Sequence, residues 1–79
     1  MTVKDVRWAA KIILELAKVP VQPKLIDAFV NYDANKMWVK SVLKTAAPAA
    51  SMMSNPYYYE AITILQQNGI SDHFYDTGS

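Results

Sequence analysis

No cysteine occurs in this 79-residue chain, and that absence narrows how it can hold a fold. Domains of this size bury only about 60–65% of the surface their unfolded chains expose. Small folds commonly add disulfides or a metal centre to make up the difference. A disulfide or a thiolate cluster is not open to this chain, so tight helix packing or association with a partner remains. The composition allows a core: 52% of residues are apolar and 19% charged, against about 45–50% and about 25% in ordinary globular chains. A disordered acidic or basic tail would show the reverse balance.

Hydrophobic periodicity then assigns the class. Val6, Ala9, Ala10, Ile13, Leu16 and Ala17 recur at three- and four-residue steps, while Lys4, Arg7, Lys11, Glu15 and Lys18 form the opposite stripe. That is an amphipathic helix with a defined core face, widened by Trp8 and Ile12 and with Leu14 at its edge. Thr2 and Asp5 resemble a capping box at its start. Val19-Pro20-Val21-Gln22-Pro23 ends it, because each proline drives its predecessor towards extended backbone. Pro23 suits the first turn of a second helix, whose stripe is Leu25, Ile26, Phe29 and Val30.

Asn31-Tyr32-Asp33 reads as a break, with Asp33 or Asn35 able to cap a third helix over about 34–47. In that helix Trp38, Val42 and Thr45 or Ala46 make one apolar line, and Val39, Leu43 and Ala47 make its neighbour. Pro48 stops or kinks it, and the pattern leaves residues 46–54 open between a loop and a separate short helix. Asn55-Pro56 starts a fourth helix, with Tyr58, Ala61, Ile62 and Leu65 at helical spacing. Gly69 closes it in a left-handed turn, followed by Ile70 in the position of a Schellman contact. The expectation is an all-α, single-domain compact bundle of about four short helices over 1–79, joined by proline-containing connections. Its core is Val6, Ala10, Ile13, Leu16, Ile26, Phe29, Trp38, Val42, Ile62 and Leu65. Residues 71–79 are expected to form a partly ordered tail.

Charge is unevenly shared. All eight basic residues lie in 1–44 against four acidic ones, a net of +4, while 45–79 carries only Glu60, Asp72 and Asp76. The overall +1 excludes a DNA mimic and argues against a strong nucleic-acid binder. From Thr45 to Ser71 the one charge is Glu60. Solvated helices normally mix both signs, so this stretch is either buried within the fold or covered by another surface. Met1 to Leu16 holds too many charges for a secretory signal, and no window approaches the ~18 apolar residues of a membrane span. A cytoplasmic chain that does not enter the membrane is expected.

Groups for chemistry are scarce. His73 is the single histidine, and with Asp72 and Asp76 it makes a poor metal site. Glu60 sits in the first turns of a helix, where the dipole favours a carboxylate without any catalytic role. The glycines, Gly69 and Gly78, form no phosphate loop. No catalytic residue, metal or cofactor is therefore expected. Lys36, Lys40 and Lys44 share a helix face, read first as solvated. They are also the candidates for contact with an anion, whether an acidic protein surface or nucleic acid. No Arg accompanies them to read base edges.

Consecutive tyrosines Tyr57, Tyr58 and Tyr59 point about 100° apart on a helix, so at least one should face the core while another stays exposed beside Met52 and Met53. Tyr and Met are common where protein surfaces meet. The candidate partner-binding residues are thus Met52, Met53, Tyr57, Tyr58, Tyr59, Phe74 and Tyr75. The function expected is a non-catalytic interaction module, self-assembling or binding and inhibiting a larger protein, of the size seen among phage and mobile-element accessory proteins. The alternative is a small nucleic-acid-binding regulator using the lysine face.

Overall fold

Helix α1 (Val3–Leu16) carries the other helices. In the computed structural model, which describes residues 3–70, it packs against α2 (Pro23–Val30), α3 (Lys36–Ser51) and α4 (Pro56–Gln67). α2 also meets α3, and a 3₁₀ turn, Tyr32–Ala34, joins the two. No strand is present among the described residues. The chain folds as the all-α bundle that its periodicity requires. Its radius of gyration is 11.0 Å, close to the about 11–12 Å expected for a chain of this length packed round one core.

The core draws on every helix: Val6, Ile13, Leu14, Ile26, Phe29, Val39, Leu43, Ile62 and Leu65 are all buried. Leu14, expected at the edge of the α1 stripe, is fully buried, and Leu16, expected inside, is half-buried against the core. A larger correction concerns α3. Trp38, expected in the core, is 44% exposed, and Val42 only leans on the core from the side. The neighbouring line of Val39, Leu43 and Ala47 faces inward instead, joined by Ala46, expected as an alternative in the Trp38 line, and by Ala50. Size explains the choice, since interhelical distance is set by the side chains at the contact. The buried alanines of α3, Ala46, Ala47 and Ala50, need little room between helices, whereas an inward indole would hold the helices apart.

Capping follows backbone conformation as well as residue type. Asn55 sits in extended geometry (φ −91°, ψ 130°), and its Oδ1 accepts a 2.9 Å hydrogen bond from the Tyr57 N–H. Asn35 holds the equivalent position before α3 but at φ −131°, ψ 25°, away from the extended geometry that aims a side chain at the first helical N–H groups. Its amide donates to the Asn31 carbonyl instead, at 3.0 Å. Asp33, the other candidate cap, lies inside the 3₁₀ turn. Thr2 lies outside the described residues.

Candidate protein-docking surface

The corner between α3 and α4 is built by a helix that runs further than its sequence suggests. Neither a loop nor a separate helix forms at 46–51: α3 continues through Pro48 to Ser51. The missing proline N–H orphans the Lys44 carbonyl, but both residues are exposed, so water can satisfy it. Burial of Ala46, Ala47 and Ala50 on the other side holds the last turn in place. The chain then turns through Met52, Met53 and Ser54, with the Met52 N–H donating to the Pro48 carbonyl at 3.2 Å and the Met53 N–H to that of Ala50 at 3.1 Å. Ser54 takes a left-handed conformation (φ 54°). Asn55 and Pro56 start α4 at once.

This geometry exposes large side chains. Met52 is 83% exposed, Met53 50%, Tyr57 56% and Tyr59 71%. Tyr57 is steadied by Trp8 of α1, the rings meeting edge to face with centroids 6.0 Å apart. Tyr58 is buried and so cannot present itself to a partner as expected. Its phenol is pushed above its ordinary value of 10.0 by burial, while a hydrogen bond with Ser51 pulls the other way. Tyr59 packs its ring edge to face on Tyr58, at 5.3 Å. One tyrosine therefore anchors the corner, and its two neighbours stand out of it. Phe74, Tyr75 and His73 lie outside the described residues.

Lys36, Lys40 and Lys44 are exposed along α3. No carboxylate among the described residues lies within ion-pair distance of them, the ion pair found being Arg7 with Asp27 at 2.8 Å, linking α1 to α2. Met37, at 88% exposure, is a further outward residue that the sequence reading passed over. Its signal was available: it lies one four-residue step before Ser41 and two before Thr45, all uncharged.

Elsewhere a concavity of about 320 Å³ opens between the start of α1, the 3₁₀ turn and the end of α4, lined among others by Val6, Asn31, Asp33, Asn68 and Ile70. Among the described residues, Asp33 is the one carboxylate on its wall. The side-chain amides of Asn31 and Asn68 donate to the Asp27 and Ile64 carbonyls. Among the described residues, no three His, Cys, Asp or Glu side chains gather as a metal site would need, and no helix is long and apolar enough to cross a membrane. Comparison with known proteins yields no match to a family model, a curated protein or a solved structure.

Proposed function

We propose that this protein is a non-catalytic protein–protein interaction module, self-assembling or binding a larger protein, and that the α3–α4 corner is its contact surface. One observation carries the reading. Four large side chains, Met52, Met53, Tyr57 and Tyr59, stand at least half exposed within eight positions, in a stretch from Thr45 to Tyr59 without a charge. Burying a methionine is worth about 1.5–3 kcal/mol. Association costs an estimated 4–15 kcal/mol before any gain appears, so two methionines, about 3–6 kcal/mol together, leave little or no surplus and the tyrosines must contribute. Tyrosine suits that role, burying a broad ring while its hydroxyl finds a partner at the rim.

Light scattering with Tyr59→Ser tests the reading. A self-associating chain has a mass above the 8.9 kDa of one copy, and the substitution returns it to a monomer with unchanged melting. A chain that serves a larger partner is monomeric and binds an apolar dye, which Tyr59→Ser releases. A monomer that binds no dye lacks the proposed surface.

A further inference from the structure

Beyond the corner, α3 presents a second surface along its length. The positions facing farthest from the core are Met37, Ser41, Thr45, Pro48 and Met52, whose spacing of three and four residues places them on one face. All five are exposed and none is charged. At 1.5 Å per residue the row is about 22 Å long. Methionines mark its ends, and small side chains lie between them, leaving a shallow saddle. Trp38 and Ala49 border one flank. Lys36, Lys40 and Lys44 border the other.

A helix that only faced water would carry charge on its outermost positions. Here all three charges are displaced to one side, unpaired among the described residues. Their four-residue spacing advances about 6 Å per step, the same step that carboxylates at four-residue spacing take along another helix.

We propose that this face of α3 docks an amphipathic helix of a protein partner, its apolar row seated between Met37 and Met52 and its row of Asp or Glu along Lys36, Lys40 and Lys44. Charge complementarity selects this occupant over two others. An antiparallel two-fold pair of α3 helices would bring both lysine rows to the same edge, against mutual repulsion. A nucleic-acid backbone laid on the saddle would meet Met, Thr and Pro along its middle and no cation of α3 on the Trp38 side. The surface shares only Met52 with the α3–α4 corner, so either can fail without the other.

The test uses the full chain and two labelled synthetic helical peptides. Both carry leucines at alternating three- and four-residue steps, one with Glu at every fourth position of a flank and the other with Lys there. Fluorescence anisotropy should show the Glu peptide binding and weakening with salt. Replacing Lys36, Lys40 and Lys44 with Gln should lower its affinity about tenfold at low salt and flatten the salt dependence. Met37→Ser with Thr45→Glu should abolish binding while leaving the far-ultraviolet spectrum unchanged, and Tyr59→Ser should leave binding intact. The proposal is overturned if the Glu peptide does not bind, if the Lys peptide binds as well, or if the triple Gln variant binds undiminished. Tighter binding of a DNA duplex, or a dimer that Met37→Ser dissociates, overturns it equally.

Discussion

Two helices of this chain end in the same left-handed turn, one on glycine and the other on lysine. After α4, Gly69 (φ 72°) lets its N–H reach the Gln66 carbonyl and the Ile70 N–H reach that of Leu65, both as in a Schellman motif. After α1, Lys18 (φ 61°) does the same, with Lys18 donating to Glu15 and Val19 to Leu14. A side chain in this conformation costs about 1–2 kcal/mol, part of which glycine would return as extra chain entropy. Lys18→Gly is therefore expected to stabilise the fold by about 0.5–1 kcal/mol, read as a higher urea midpoint. No neighbour within 4 Å would obstruct a Cβ at Gly69, so Gly69→Ala should lose about 1 kcal/mol through the backbone alone. Tyr58 gives a pH signature. Because burial raises its pKa, the folded state keeps a proton that the unfolded chain releases. Its contribution is intact below the ordinary value of 10.0 and falls as pH rises beyond it. Urea midpoints measured from pH 9 to 11 should decline, and Tyr58→Phe should decline less steeply.

At the scale of the element, α3 separates residues that sequence treats alike. Leu43 is fully buried, and Leu43→Ala should cost about 2–5 kcal/mol. Trp38→Ala, at a larger side chain on the same helix, should cost well under half of that, since the indole lies only partly against the core. Thermal melts of the two variants side by side decide the register of α3, and equal losses would return Trp38 to the interior. α4 starts where Asn55 meets its cap geometry, so Asn55→Ala should lose about 1 kcal/mol.

For the whole molecule, stability depends on one shared core. The Arg7–Asp27 bridge adds little, because it is solvent-exposed and such pairs are worth about 0–1 kcal/mol. Native domains keep only about 5–15 kcal/mol in hand, and one this small lies towards the lower end. Truncating Ile13 at the centre of α1, or Phe29 of α2, removes about 2–5 kcal/mol. Both variants should be largely unfolded near 37 °C, seen as loss of helical signal. An Ile13→Ala protein that melts unchanged would contradict the central place of α1.

Sequence by itself determined the class, the helix count and most of the ends. Period and punctuation are local: the α1 stripe, Pro23 and Asn55-Pro56 at helix starts, and Gly69 at a stop each act through neighbours within a turn. It also marked a charge-free stretch and required the three tyrosines to diverge. What only the tertiary structure decided was which of two adjacent lines on α3 turns inward, because both are apolar and only the space left between packed helices distinguishes them. Burial of its last alanines carries α3 through Pro48, and the packing of α4 chooses Tyr58 as the tyrosine that is buried. In each case the local preference is weak or divided, and the area buried against another helix, which no spacing within one helix records, is the larger free energy.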